Sequence, residues 1–243
     1  MTAPASATLD AGLPVPAFFT TRAGGVSSGP YESFNLGRHV HDDPEAVDAN
    51  RARLEALAGA TIAYMSQVHG DRVVVVGVGD PAPEADGLVT QNPHLALAVL
   101  VADCVPILLH DIGSGAVAAV HAGRAGVVRG VVPSAIRLLS SLAGGGAATI
   151  SASLGPAICG GCYEVPEAMR EAVSAVVPAA RSTTTWGTPS LDLRAAVWAQ
   201  LEESGVKAIR LVGGCTREDP ALFSHRRDGA TGRFAGRIGC GSS

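Results

Sequence analysis

The sequence predicts one mixed α+β or layered α/β domain, and three observations lead to that fold class. Short β-rich runs follow one another before helical patterns return, which is not typical of a simple doubly wound sheet. No change of composition marks a linker, and 47% of the 243 residues are hydrophobic. A chain of this length and composition can bury one large core.

The strands are predicted from short apolar runs bounded by turn residues. The first lies in PVPAFFTT, after a flexible tail of residues 1–13. It precedes the loop RAGGVSSGPYESFNLGRHVHDDP, and loops of this length are usually functional or disordered. Further strands are expected at 61–66, 72–78, 86–90, 95–102, 105–110 and 116–121, and in ATISASLG and VKAIRLVGG.

Four helices are predicted from their capping residues and apolar spacing. The first begins at Pro44, with Asp43 as its N-cap, and ends at Gly59. The others are expected at 126–142, at 166–177 beginning at Pro166, and at 193–204 between Asp192 and Gly205. CGGCYEVP is expected to form a turn, and CTREDPALFSHRRDGATGRFAG an arginine-rich loop.

Charge and cysteine content argue against several classes of protein. A net charge of −4 gives no general attraction to nucleic acid or to an anionic membrane surface. Five cysteines, an odd number, do not indicate a disulfide scaffold. The N-terminus lacks the basic and apolar regions of a signal peptide, and no apolar run reaches about 18 residues. We therefore expect a cytoplasmic protein with reduced thiols and with neither nucleic acid nor membrane as a partner.

Three soft metal ligands stand at the ends of apolar strands. His69 lies in SQVHGD, Cys104 follows the first strand of VLVADCVPILL, and His121 ends AVAAVH. Alone, each has an ordinary interpretation as a turn histidine, a buried cysteine or a residue of a strand-to-helix turn. Together, two imidazoles and one thiolate suit zinc, and three protein ligands leave a fourth position open, as in catalytic sites. Their spacing matches no short zinc motif.

Asp103, beside Cys104, needs a partner because burying an unpaired carboxylate is costly. Pro106 indicates a break that places both residues at a strand end or bend. A rival metal or redox site is offered by Cys159 and Cys162, which have CxxC spacing. No second pair follows at a suitable distance, so a structural turn is the simpler interpretation.

Arginines in the first loop and near the C-terminus are candidates for anion binding. Arg22, Arg226 and Arg227 carry forked guanidinium groups that suit phosphate or a carboxylate. Solvated arginines that pair with Asp or Glu are the alternative.

Eight segments, in one order, resemble the laccase-domain family, also called YfiH-type. Its members were first labelled polyphenol oxidases and later purine nucleoside phosphorylases. The segments are TRAGGVSSGPYESFNLGRHVHDDP, SQVHGD, ADGLVT, ADCVPILL, AVHAG, LGPAICGGCYEV, DLRAAV and CTREDPALFSHRRDGATGR. The resemblance implies that residues 14–243 form a single catalytic domain, with a central β-sandwich flanked by helices.

The resemblance also implies an activity. His69, Cys104 and His121 would bind one Zn²⁺, with copper possible in its place. Family members phosphorolyse adenosine, inosine, guanosine and methylthioadenosine to the base and ribose 1-phosphate, and they can deaminate adenosine. The partners would be a nucleoside and phosphate, and the chain would be a monomer or a dimer.

For this phosphorolysis reaction, we expect phosphate or substrate to be bound by Arg22, Asn35 and Arg226. Asp103 would orient a metal ligand from behind or shuttle protons.

This sequence departs from the family pattern at three places. Arg124 and Ala125 stand where Trp and Arg are common, so HAGRAG replaces HAGWRG. Cys159-Gly-Gly-Cys162 replaces adjacent cysteines, and His225 stands where tyrosine is common. These departures bear on substrate preference and leave the three expected metal ligands in place.

Three other functions stay open. A hydrolase that edits peptidoglycan precursors would use Cys104 as its nucleophile. A copper-dependent phenol oxidase of the multicopper type would need more histidines, in paired motifs, than the seven scattered ones of this chain. The third alternative is a metal-binding protein without catalytic activity.

Overall fold

The computed structural model describes residues 7–143 and 146–241 and contains both strands and helices. The strands are β1 (Thr8–Asp10), β2 (Ala17–Thr20), β3 (Thr61–Ala63), β4 (Val73–Val75), β5 (Gly87–Thr90), β6 (Leu95–Val101), β7 (Val105–Asp111), β8 (Val117–Ala122), β9 (Ile150–Leu154), β10 (Arg181–Thr183), β11 (Pro189–Leu191), β12 (Ala208–Leu211) and β13 (Phe234–Gly239). The helices are α1 (Pro44–Ala58), α2 (Arg124–Arg129), α3 (Val131–Ala143), α4 (Glu167–Val176), α5 (Leu193–Glu203) and α6 (His225–Asp228).

Most strands belong to two sheets. The five-stranded sheet has the order β1-β2-β13-β6-β3, and the six-stranded sheet has the order β12-β9-β7-β8-β5-β4. Strands β10 and β11 form a separate antiparallel pair. Apolar residues from both larger sheets form one buried cluster, so the two sheets pack face to face.

Strand β6 shows how the sequence generates the layers. All seven of its residues are buried, and successive side chains point to opposite faces of the sheet. Leu97 belongs to the apolar cluster between the sheets, together with Leu108 of β7. Ala98 belongs to the cluster on the outer face, together with Leu54 of α1. One continuous apolar run therefore serves two layers of the core.

Helices cover the outer faces of both sheets. Helix α1 lies on the five-stranded sheet, and residues of α3, α4 and α5 pack on the six-stranded sheet. The predicted mixed α+β fold, with a central β-sandwich flanked by helices, is confirmed. None of the helices in the described part of the chain combines the length and apolarity that crossing a bilayer requires.

Helix α1 confirms the predicted capping residues. The Asp43 side chain accepts a hydrogen bond from the backbone N–H of Glu45, and Gly59 ends the helix with φ of 64°. The predicted helix 126–142 is instead divided into α2 and α3. Gly130 adopts φ of 87° between them, a left-handed conformation that interrupts the helix.

Two expectations near the termini are wrong. Residues 8–10 were expected in the flexible tail 1–13, but they form strand β1 because they pair with β2; residues 1–6 lie outside the described part. The expected C-terminal loop contains α6 and the first three residues of β13, which lies between β2 and β6. The FAGRIG segment carries two glycines and the buried Arg237, so no apolar alternation marks it as a central strand. The Arg237 guanidinium donates to the carbonyls of Pro16 and Ala58 at 2.8 and 2.9 Å, which makes its burial possible.

The core position of Leu97 can be tested by truncation. Leu97→Ala is expected to lower the free energy of unfolding by about 2–5 kcal/mol, because it leaves a cavity between the two sheets. Leu57 of α1 is 56% exposed and serves as the control. Leu57→Ala should change the free energy by less than about 0.5 kcal/mol. Equal effects in denaturant titrations of the two variants would contradict this packing.

Candidate metal centre

Three side chains from distant parts of the sequence meet at one end of the sandwich. His69 lies in the turn between β3 and β4, Cys104 lies in the bend between β6 and β7, and His121 lies near the end of β8. One ligand atom from each lies within 4.8 Å of the others. The rings of His69 and His121 are edge to face, with centroids 4.7 Å apart. The structure thus brings together the three residues expected to bind metal.

The strand pattern explains the direction of His121. Side chains in β8 alternate, and Val117 and Ala119 face the space between the sheets. His121 has the same parity, so its ring lies at the end of that buried space and is 3% exposed. Ala118 and Val120 face the helices instead. A polar residue therefore ends an apolar face where it can reach the side chains of the neighbouring turns.

A carboxylate that the sequence reasoning missed, Asp86, holds both histidines. It is fully buried just before β5, and its Oδ1 accepts a hydrogen bond from Nδ1 of His121 at 2.7 Å. The backbone N–H groups of Val68, His69 and Gly70 also donate to this carboxylate, at 3.2, 3.0 and 2.6 Å. One side chain thus orients the His121 ring and fixes the turn that carries His69.

The pKa values of these groups follow from burial and from their partners. Burial alone would raise the pKa of Asp86, but hydrogen bonds from His121 and from the Gly70 N–H outweigh it and lower that pKa. Burial would lower the pKa of His121, but the charges and hydrogen bonds of Cys104 and Asp86 raise it to about 9. Burial and the neighbouring His121 lower the pKa of His69.

A glycine makes room for the cluster. A Cβ atom on Gly123 would lie 2.5 Å from Nδ1 of His69 and 3.2 Å from Sγ of Cys104. His69 and Asp103 also have positive φ angles, of 58° and 92°, which are uncommon for residues other than glycine. Such conformations cluster at functional sites.

The cluster opens into a cavity of 340 Å³, a volume within the usual range of small-molecule sites. The cavity is lined by His39, Gln67, His69, Leu100, Val101, Ala102, Cys104, His121, His225 and Arg233. A second cavity of 420 Å³ shares His39, Gln67 and Leu100 with it, so the two adjoin. The cluster can therefore meet a small molecule from solvent.

The donor set fits a metal ion. Because Nδ1 of His121 binds Asp86, Nε2 is the ring nitrogen left for a metal. A carboxylate behind a ligating histidine is the usual arrangement in metal sites. Two imidazoles and one thiolate suit Zn²⁺ and are also compatible with copper. Metal binding by these residues stays a prediction.

The expected role of Asp103, to orient a metal ligand from behind or to shuttle protons, stays a prediction. Its Oδ1 accepts hydrogen bonds from the hydroxyls of Thr216 and Ser224, at 2.6 and 2.7 Å. Its Oδ2 accepts one from the backbone N–H of Arg226 at 2.7 Å. The Asp103 carboxylate thus ties the bend between β6 and β7 to the C-terminal segment, while Asp86 contacts His121. The predicted bend is confirmed, but Pro106 lies inside β7.

The three residues expected to bind phosphate are not among the described residues that line the cavity. Nε of Arg22 donates to the carbonyl of Glu32 at 2.6 Å. Nη1 of Arg226 donates to the carbonyl of Glu164 at 2.5 Å, and its head lies over the Tyr163 ring. These contacts hold loops together.

Asn35 binds the backbone of Arg233, a residue that lines the cavity. It is fully buried, and its Oδ1 accepts a hydrogen bond from the backbone N–H of Arg233 at 2.8 Å. Arg233 lines the cavity and was missed, although it ends the segment GATGR. Asp86 was missed because a lone aspartate before a short strand has no distinctive spacing.

Asp86→Asn tests how the histidines are held. The amide keeps the shape but loses the charge and part of the acceptor capacity, so affinity for Zn²⁺ should fall about 10- to 100-fold. Asp80→Asn is the control, because Asp80 is exposed and accepts from the Gly77 N–H in a distant turn. Zinc affinity would be measured by competition with a chelator, with circular dichroism to verify folding. Unchanged affinity in a folded Asp86→Asn variant would contradict this role.

Known proteins are similar to this chain over almost its whole length. A family model described as multi-copper polyphenol oxidoreductase laccase matches residues 16–241. Purine nucleoside phosphorylase Rv2149c of Mycobacterium tuberculosis is 54% identical over 224 residues, which cover 90% of this chain and 89% of that protein. Purine nucleoside phosphorylase SCO2081 of Streptomyces coelicolor is 54% identical over 226 residues, with coverage of 90% and 93%.

Solved structures show the same fold. YlmD from Geobacillus stearothermophilus superposes with a TM-score of 0.91 at 32% identity and covers 99% of this chain and 98% of its own. The YfiH protein of Bacillus licheniformis gives a TM-score of 0.85 at 30% identity, with coverage of 95% and 98%. With a family match over nearly its full length and a shared fold, this chain belongs to the laccase-domain, YfiH-type family.

Proposed function

We propose that this protein is a zinc-dependent purine nucleoside phosphorylase. It would convert adenosine, inosine, guanosine or methylthioadenosine and phosphate to the base and ribose 1-phosphate, with deamination of adenosine as a side activity. The observation that carries the proposal is the convergence of His69, Cys104 and His121 in a cavity that also contains Arg233. The names of the two bacterial relatives support the reaction class.

The metal ligands occupy the inner wall of the cavity. His69, Cys104 and His121 would hold the ion, and Asp86 would hold the His121 ring in place by its hydrogen bond. A bound Zn²⁺ supplies a Lewis acid at this wall. The exposed edge of His69 leaves the metal site accessible to substrate.

Arg233 is the best-placed cation for phosphate. Its guanidinium is half-buried, and its Nη1 donates to the carbonyls of Thr231 and Gly232, both at 3.0 Å. Burial lowers the pKa of Arg233, but an arginine still keeps its charge near neutral pH. A fixed and partly desolvated guanidinium binds a phosphate dianion strongly. The phosphate would therefore be held in the same cavity as the expected metal ligands.

The remaining wall suits a nucleoside. Burial and the charge of Arg233 lower the pKa of His39, so its ring is neutral at pH 7 and can exchange a hydrogen bond with a ribose hydroxyl. Leu100, Val101 and Ala102 present an apolar surface for the base or the sugar. Holding nucleoside and phosphate side by side accelerates their reaction by proximity.

Phosphate dependence is the first test. Protein loaded with Zn²⁺ should convert adenosine to adenine and ribose 1-phosphate only when phosphate is present, as read by chromatography. Inosine among the products would show the deaminase activity. His121→Ala should lose turnover and the metal bound by His69, Cys104 and His121, while keeping its fold. Absence of turnover in the zinc-loaded protein, or full activity of His121→Ala, would refute the proposal.

Arg233→Gln tests the phosphate site. Loss of a charged hydrogen bond should raise KM for phosphate about 10- to 100-fold, with a smaller change for adenosine. Arg137→Gln is the control, since Arg137 is exposed on α3 and bonds Ser134. Initial rates over a phosphate series measure the effect. An equal change in both KM values would contradict phosphate binding by Arg233.

One observation favours a second function, a thiol hydrolase acting on cell-wall precursors. Cys104, His121 and Asp86 form a chain of thiol, imidazole and carboxylate, the order found in cysteine nucleophile sites. This alternative predicts turnover of a muropeptide precursor that survives metal removal. The phosphorylase proposal predicts that chelation abolishes turnover and that re-addition of Zn²⁺ restores it.

A further inference from the structure

A second group of metal-binding side chains lies outside the candidate metal centre. Cys159, Cys162, Cys215 and Glu218 each offer a ligand atom, and these atoms lie within 4.8 Å of one another. The CxxC pair comes from the turn after β9, and the other two residues come from the segment after β12. In the sequence, no second CxxC pair follows Cys159 and Cys162 at a suitable distance. The fold instead brings Cys215 and Glu218 next to them.

Backbone hydrogen bonds hold the two segments in register. Ala157 and Cys215 form a parallel β-bridge, and the N–H of Thr216 donates to the carbonyl of Ala157 at 3.2 Å. The N–H groups of Glu218 and Asp219 donate to the Cys215 carbonyl, at 3.2 and 3.0 Å. This tight turn returns the Glu218 carboxylate towards the thiols. The convergence is therefore built into the backbone.

The CGGC turn is also preorganised. The N–H groups of Cys162 and Tyr163 both donate to the Cys159 carbonyl at 3.0 Å. A Cβ atom on Gly160 would lie 2.9 Å from Cβ of Asp192, so the turn packs closely against the start of α5. Both thiols are presented on one side of a rigid turn, as in CxxC metal sites.

Hydrogen bonds bring the possible donor atoms close to one another. The N–H of Cys159 donates to Sγ of Cys215 at 3.3 Å, and Cys162 donates to Oε1 of Glu218 at 3.5 Å. Zinc–sulfur bonds of about 2.3 Å in a tetrahedron separate ligand atoms by about 3.8 Å. The observed separations, up to 4.8 Å, need side-chain shifts of only about 1 Å.

An arginine lies beside the cluster. Cys162 and Cys215 are buried. The Arg194 guanidinium donates to the carbonyl of Gly214, next to Cys215, at 3.4 Å, and Arg194 lines a cavity together with Cys159. Three thiolates and one carboxylate around Zn²⁺ carry net negative charge, which this arginine would offset.

The cluster can be reached from solvent. Cys159 lines a cavity of 290 Å³, together with Arg194, and Cys162 lines a cavity of 480 Å³, together with Arg226. Glu218 is exposed. A metal ion has a route of entry, which a metal site requires.

We propose that Cys159, Cys162, Cys215 and Glu218 bind a structural Zn²⁺ that is separate from the candidate metal centre. Four protein ligands close the coordination shell, which is the arrangement of structural zinc sites. The ion cross-links the CGGC turn to the start of the C-terminal segment 215–228. It stabilises that segment and does not take part in the reaction.

This cross-link has a consequence for the cavity. Segment 215–228 contains Thr216, Ser224 and Arg226, which hydrogen-bond the Asp103 carboxylate next to Cys104. It also carries His225 at the cavity wall. The second zinc site thus holds the segment that shapes the cavity and supports the bend bearing a ligand of the first site.

The test counts metal ions in the full chain under reducing conditions. The parent for the test is His121→Ala, which disables the candidate metal centre. Elemental analysis should find about one Zn²⁺ per chain in this variant, and further substitution Cys215→Ser should remove it. Cys240→Ser is the matched control, since Cys240 lies at the end of β13 with Sγ 3.9 Å from the Thr90 carbonyl, and it should retain the metal.

Three further measurements test the site. Co²⁺ bound to the His121→Ala variant should give the intense thiolate-to-cobalt absorption of several cysteine ligands. Glu218→Gln should weaken zinc binding about 10- to 100-fold or more. Glu218 is exposed, so this substitution is compatible with folding. Limited proteolysis should cut segment 215–228 faster after chelation. A His121→Ala protein that binds no metal, or a native disulfide among the three cysteines found by mass spectrometry, would overturn the proposal. Neither result depends on whether nucleosides are substrates.

Discussion

The hydrogen bonds of the Asp86 carboxylate are the constraint on which the candidate metal centre depends. A fully buried carboxylate is costly unless each oxygen is satisfied. Here both oxygens accept, from the His121 ring and from three successive N–H groups of the turn at 68–70. The carboxylate therefore orients both histidines, because moving either one would remove a hydrogen bond from a buried charge.

The sandwich architecture places these groups where they can meet. Strands β6, β7 and β8 end or begin at the same edge of the apolar space between the sheets, so Cys104 and His121 emerge beside each other. The antiparallel register pairs Val105 with Ala122 and Pro106 with His121. Core packing thus positions the polar residues at its rim, and the rim opens into the cavity that contains Arg233.

The C-terminal segment links the core, the cavity and the cysteine cluster. Asp103 accepts three hydrogen bonds from it, Arg227 donates to the carbonyls of Thr216 and Leu222 at 2.8 and 2.7 Å, and β13 then inserts between β2 and β6. The sequence of this arginine-rich segment predicts a loop. In the structure, hydrogen bonds from its own guanidinium groups hold the segment in place. The arginines act mainly as donors to backbone carbonyls, which suits their several N–H groups in a fixed plane.

The sequence by itself determined the local elements and the chemistry available. Asp43, Pro44 and Gly59 bound α1 as expected, because capping acts within one helical turn. The types and strand-end positions of His69, Cys104 and His121 were enough to single them out as candidate metal ligands.

Only the tertiary structure decided which side chains support those ligands. Asp86 lies beside His121 because β5 and β8 are neighbours, and Cys215 joins the CxxC turn because β12 and β9 are neighbours. Arg22 and Arg226 looked suited to phosphate, yet nearby carbonyls engage them, while Asn35 holds the backbone of Arg233. Local patterns carry no information on strand order. Hydrogen-bond partners distant in sequence are therefore settled only when the sheets assemble and buried polar groups must be paired.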